Sequence, residues 1–210
     1  MATGNVERQA ARVFRELERV GLLLETDSTL PSLVALVAGG PVRGSWWGHP
    51  LGHTIFATGE ALFAHRDVLL ARLVSGKATW IHRRLWPALC AVARSREPWQ
   101  TTGLSAGAKA LLETIDRDGL ARATGTVARE LEIRLLARGE QEHTESGRHA
   151  KVLEGWDRWA ARVRPALAVV SPQAGRTELE GVLDGLNQRH GGRGRMPWQR
   201  RSPRRAAAAG

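Results

Sequence analysis

The sequence predicts an α+β fold, mostly helical, and three observations carry that expectation. Apolar residues recur at helical spacing near the start and again in mid-chain, Ser-Gly pairs split strand-like runs in two places, and Gly or Pro stands at most boundaries. With 210 residues and 42% hydrophobic side chains, the chain can bury one sizeable core or two small ones.

Val6, Ala10, Val13, Leu17 and Val20 are spaced by three and four, which predicts a helix capped by Asn5 and stopped by Gly21. A short helix fits 31–38, with Pro31 in its first turn and Gly39-Gly40 behind it. A third runs over 51–64 on the apolar contacts of Ile55, Phe56, Leu62 and Phe63. The runs 68–73 and 78–81 flank Ser75-Gly76 and predict a small β-hairpin. Helix resumes near Arg83 and ends around Ala93, and Arg94-Ser95-Arg96-Glu97-Pro98 marks the end of an N-terminal subdomain over 5–95.

In the second subdomain, 100–168, Ser105 caps a helix carrying Ala108, Leu111, Leu112 and Ile115, and Gly119 closes it. Residues 120–125 turn the chain, and Thr126 caps a second helix through Arg138. A hairpin follows over 140–145 and 148–153 about Ser146-Gly147, and Trp156 and Trp159 anchor a closing helix to about Ala168. Helix, turn, helix and two-stranded ribbon is the order of a winged helix-turn-helix. Past Ser171 only 177–186 reads as a short helix, and the Arg/Gly/Ala-rich stretch 189–210 reads as disordered.

The net charge of +10 suggests an anionic partner, but its distribution qualifies this. Seven arginines and no acid lie in 189–205, which leaves +3 on residues 1–188. Only Lys77, Lys109 and Lys151 are lysines, a bias that a GC-rich coding sequence also produces. One cysteine, Cys90, excludes an intramolecular disulfide, and its apolar surroundings predict a buried thiol; a reducing cytoplasm is the expected compartment. Neither a signal-peptide core nor an 18-residue apolar run is present, so no membrane association is expected.

The stretch GSWWGHPLGH, 44–53, is the densest cluster of aromatic and imidazole groups. Trp46 and Trp47 read first as a staple for a Gly-rich loop and second as the rim of a pocket. His49 and His53 stand four apart, but Pro50 and Gly52 lie between them and no third ligand is adjacent, so capping is preferred to metal binding. His82, Arg83 and Arg84 open a predicted helix, where the macrodipole disfavours cations unless an anion is near. Either a phosphate or a carboxylate such as Glu60 or Asp67 satisfies that requirement. In the second subdomain, Arg129, Arg134, Arg148, His149 and Lys151 are expected to face the backbone of a duplex, although Glu130, Glu132, Glu140, Glu142 and Glu145 interrupt the patch.

Four strings, Leu30-Pro31-Ser32-Leu33, Gly44-Ser45-Trp46-Trp47-Gly48-His49-Pro50, His82-Arg83-Arg84-Leu85-Trp86-Pro87-Ala88-Leu89 and His143-Thr144-Glu145-Ser146-Gly147-Arg148-His149-Ala150, carry a resemblance over roughly residues 28–160. There the chain resembles uncharacterised bacterial AlkZ-related proteins, distant relatives of the winged-helix AlkZ-type DNA glycosylases. The resemblance implies winged helix-turn-helix units, duplex DNA binding and a place in DNA repair. Base excision in that family relies on Gln-x-Gln, which this sequence lacks; Gln141-Glu142-His143 is the nearest approach. No catalytic residue carries over.

No P-loop, GxGxxG or HExxH motif is present, and no catalytic constellation, metal site or cofactor is predicted. The leading expectation is a DNA-binding protein, with RNA a further ligand for the basic tail. One rival is a base-acting enzyme with a pocket at Trp46, Trp47, His49, His53, His82, Arg83 and Arg84. The other is a winged-helix module for a protein partner.

Overall fold

A computed structural model describes residues 2–123, 125–143, 149–163 and 168–199. The fold is α+β and mostly helical, with two three-stranded antiparallel sheets ordered β1-β3-β2 and β4-β6-β5. The first sheet comprises β1 (Leu22–Leu24), β2 (Val68–Arg72) and β3 (Ala78–His82). The predicted hairpin is β2–β3, paired from Val68↔His82 to Arg72↔Ala78, and Ser75 and Gly76 both adopt positive φ in its turn, 53° and 69°. Thr79, fully buried, stabilises that turn by accepting from the Val74 amide at 3.1 Å.

β1 is not anticipated by an alternating pattern, because both faces of this sheet are covered. Successive side chains of a strand point to opposite faces. Leu23, Trp80, Val68 and Leu70 pack on one side with α1 (Ala2–Val20), α2 (Leu33–Ala38) and α3 (Gly52–Phe63). Leu22, Leu24, Leu69 and Ile81 pack on the other with α4 (Trp86–Ala93) and α9 (Pro172–His190). A strand buried on both sides reads as an unbroken apolar run. α1 already runs from Ala2, so Asn5 lies within the helix instead of capping it; Gly21, φ 84°, ends it as expected.

The second sheet joins β4 (Leu120–Ala123), β5 (Arg138–His143) and β6 (His149–Glu154), with α5 (Pro98–Thr101), α6 (Ala106–Asp118), α7 (Gly125–Ile133) and α8 (Trp156–Arg162) around it. Ser105 and Gly119 bound α6 as predicted: the Ser105 hydroxyl accepts from the Ala108 amide at 3.2 Å, and Gly119 has φ 79°. Three expectations fail here: Thr126 lies inside α7, which already runs from Gly125, and so does not cap it. Residues 120–123 are a strand, not a turn; the segment has little β propensity and is held by pairing with β6, Leu120↔Glu154 to Ala123↔Lys151. The second helix stops at Ile133 rather than Arg138, because Leu135 turns to φ 52° and buries its side chain in the cluster of the first sheet.

Leu135, Trp156, Trp159 and Ala160 belong to the same cluster as Trp86 and Leu89, so one core crosses the boundary read at 94–98. Gln100, fully buried, binds across it: Nε2 donates to the carbonyls of Ala93 at 3.0 Å, Arg134 at 3.3 Å and Leu135 at 3.4 Å. A separate cluster, with Leu112, Ile115, Leu131 and Leu153, fills the second unit.

The C-terminal expectation also changes. α9 has 19 residues, and 189–199 are not the unstructured tail that composition predicts. The chain folds back: Asn187 exchanges hydrogen bonds with Gly194 at 2.8 and 3.0 Å, the Ser75 amide donates to the Arg195 carbonyl at 2.8 Å, and Met196 is fully buried. Residues 200–210 of that stretch lie outside the described residues.

Candidate nucleic-acid interface

α7 follows β4 directly, and the β5–β6 ribbon returns beside it. Its apolar side, Ala128 and Leu131, is fixed in the core of the second unit, so Thr126 and Arg129 face solvent. Of the acids expected to interrupt this face, Glu130, Glu132 and Glu140 have partners within the fold, and the side chains of Glu142 and Glu145 lie outside the described residues. Glu130 accepts from the Ser105 amide at 3.1 Å and its hydroxyl at 2.7 Å, and the hydroxyl bond holds its carboxyl below the usual range. Glu132 is buried, 3.4 Å from Arg72 Nε on the first sheet and 2.8 Å from Lys151 Nζ on the second. Glu140 pairs with the buried Arg138 at 3.1 Å.

The cations sort the same way. Arg129 is exposed, with no ion pair or side-chain hydrogen bond among the described residues. Arg134 is engaged within the fold: its Nη1 donates to the Gln100 carbonyl at 3.1 Å and the Thr102 carbonyl at 2.7 Å, closing the end of α5. Lys151 is likewise committed, to Glu132. The backbone of His149 pairs with His143 at the open end of the ribbon, and Arg148 lies outside the described residues.

The residues of the predicted pocket are held by different partners. Trp46 and Trp47 form a 3₁₀ turn and stack on each other with centroids 4.2 Å apart; Trp46 leans on the first cluster of helices, while Trp47 is 65% exposed beside Phe56, 5.6 Å away. His49 caps the turn into α3, its Nδ1 accepting from the Leu51 amide at 3.1 Å, and His53 is exposed one turn on. His82, Arg83 and Arg84 resolve internally. Arg83 pairs with Asp67 at 2.9 Å, the carboxylate solution to the misfit at that helix start. Arg84 reaches the C-terminus of α1, donating to the Glu18 carbonyl and to the Arg19 carbonyl at 3.2 Å, where a cation suits the macrodipole. Gly21 permits this approach: a Cβ there would lie 2.7 Å from Arg84 Nη2. His82 is buried and its Nδ1 accepts from the Arg84 amide at 3.4 Å; burial, with the Arg84 charge beside it, pushes its imidazole below the ordinary value.

Among the described residues no group of three His, Cys, Asp or Glu side chains is placed to hold a metal, and no helix is long and apolar enough to cross a membrane. Cys90 is buried, which pushes its thiol up to about 11 and suppresses thiolate chemistry. Sequence reasoning missed one charged surface. Arg8, Arg12 and Arg15 are exposed on α1 with no acid partner among the described residues, flanking a shallow groove with Asn5, Gln9 and Ala11. The signal was their 4-and-3 spacing, a polar stripe opposite the apolar one already recognised on this helix.

No family model, curated protein or solved structure matches this chain.

Proposed function

We propose that the chain binds duplex DNA through its second unit, as a winged helix-turn-helix in which α7 lies against the duplex and the β5–β6 ribbon flanks it. The observation that carries this reading is Arg129, exposed and without an acid partner among the described residues, on a helix whose acids, Glu130 and Glu132, are turned inward. The element order α6-β4-α7-β5-β6 and the strand order β4-β6-β5 are in keeping with it. In this arrangement the Arg129 guanidinium takes a phosphate, and Thr126 at the start of α7 faces the base edges. Loss of one phosphate contact lowers the log–log salt slope by about 0.9. Arg129→Gln is therefore expected to weaken binding of a short labelled duplex and flatten its salt dependence by that amount, read by fluorescence anisotropy; unchanged affinity and slope refute the assignment.

A second reading, in which the chain holds an unpaired base, is favoured by the exposed Trp47 against Phe56. An aromatic stack contributes about 1–3 kcal/mol per base. Trp47→Ala then weakens single-stranded DNA binding roughly 5- to 150-fold while leaving the duplex affinity unchanged.

A further inference from the structure

We propose that the solvent face of α1 is a second phosphate-binding surface for nucleic acid, with Arg8, Arg12 and Arg15 on consecutive backbone phosphates. It shares with the α7 reading only the class of ligand and lies on a different unit.

These three side chains form a row on one exposed helix face with no carboxylate partner among the described residues. Arginines 19, 66, 72, 83, 94, 96, 117, 134, 138, 158, 162 and 176 each have a carboxylate within 4.0 Å. Arg8, Arg12 and Arg15 have none among the described residues, although Glu7, Glu16 and Glu18 stand on the same helix. Glu16 pairs with Arg19 instead, 2.6 Å away. Spacings of four and three put the three guanidinium groups on one line, about 10 Å from first to last at 1.5 Å per residue. Neighbours of like charge at that spacing destabilise a helix, and no carboxylate among the described residues offsets them. A dense, regular array of external anions relieves that repulsion.

Nucleic acid fits better than the other polyanionic surfaces. A membrane-surface helix needs a free apolar face, and the apolar face of α1, through Val13, Leu17 and Val20, is buried in the protein. The row is straight, rigid and made of arginine, whose planar fork matches phosphate oxygens. A duplex presents one charge per about 1.7 Å of axis along such a row.

The test is anisotropy of labelled duplex and single-stranded DNA with four full-length proteins: wild type, Arg8→Gln/Arg12→Gln/Arg15→Gln, Arg129→Gln, and a control that removes exposed cations elsewhere, Arg43→Gln/Lys109→Gln. Glutamine keeps the helix propensity of arginine, and circular dichroism verifies the fold. Three lost contacts lower the salt slope by about 2.7, so the affinity lost between about 50 and 200 mM salt shrinks roughly 40-fold, while the control hardly changes. An unchanged slope overturns the proposal. So does a control that loses as much per charge, which would show a net-charge effect only. Competition by polyglutamate equal to that by duplex, or equal capture by phosphatidylserine vesicles, overturns it in favour of an acidic protein or a membrane. The two readings fail separately: if Arg129→Gln is silent and the triple variant is not, the α7 assignment falls and the α1 row stands.

Discussion

Gly175, in the first turn of α9, sits where that helix crosses α4 at backbone contact. A Cβ built on it lies 2.6 Å from the Ala88 carbonyl oxygen and 3.2 Å from its carbon, whereas ordinary contacts of that kind begin near 3.4 Å. The obstacle is main chain, so no rotamer change relieves it, and the helices must separate by several tenths of an ångström. Overpacking of this kind costs about 1–3 kcal/mol. Gly181, on the same helix, has nothing within 4 Å of its would-be Cβ. Gly→Ala in a helix otherwise stabilises by about 0.5–1 kcal/mol. The pair Gly175→Ala and Gly181→Ala therefore isolates the steric cost, since propensity contributes to both. Gly181→Ala is expected to raise Tm, Gly175→Ala to lower it, and their separation should be about 2–4 °C for each kcal/mol in a chain of this size. Thermal and urea unfolding followed by circular dichroism measure it. Equal Tm values for the two variants would refute the close crossing and with it the placement of α9 on α4.

Three further outcomes follow from the same geometry. Glu132→Gln leaves Lys151 and Arg72 without their shared buried carboxylate and is expected to cost about 2–3 kcal/mol, less than a fully buried pair because both partners are partly exposed; urea midpoints unchanged from wild type would contradict it. Met196→Ala empties a fully buried site and should destabilise by about 2–5 kcal/mol, which an unstructured C-terminal segment would not show. His82 sets a pH dependence. Its folded-state value lies below the unfolded 6.5, so the unfolded chain binds the extra proton, and the contribution to stability is complete above 6.5 and is lost as pH falls below it. Wild type should then lose more Tm than His82→Asn over that interval, and parallel Tm profiles would remove His82 from the account.

Caps and turns were the most legible features, because they depend on single residues: Ser105 and Gly119 around α6, Gly39 behind α2, Ser75-Gly76 in the first hairpin. β1 was not legible, since three consecutive leucines buried on both sides carry no period. The end of α7 escaped because Leu135 leaves the helix to satisfy a core built largely by other elements. Residues 189–199 looked disordered by composition, yet buried Met196 and Pro197, Trp198 against Trp99 and the side chain of Asn187 hold them. The candidate site suffered most. Which arginines stay free depends on partners distant in sequence, such as Asp67 for Arg83, 16 residues away, and Glu97 for Arg176, 79 away. Local spacing reveals pairs like Glu16 with Arg19, but not these.

The late closure of the first core also sets a schedule. Leu22, Leu69, Trp86 and Leu89 share their cluster with Leu183, Leu186 and Met196, so a chain synthesised only as far as Ala93 has made one half of a joint. Roughly 100 more residues must emerge, about 5–20 s at ordinary elongation rates. Throughout that interval the inner face of the first sheet stays open to water, to other nascent chains and to chaperones, until Leu183, Leu186 and Met196 seal it.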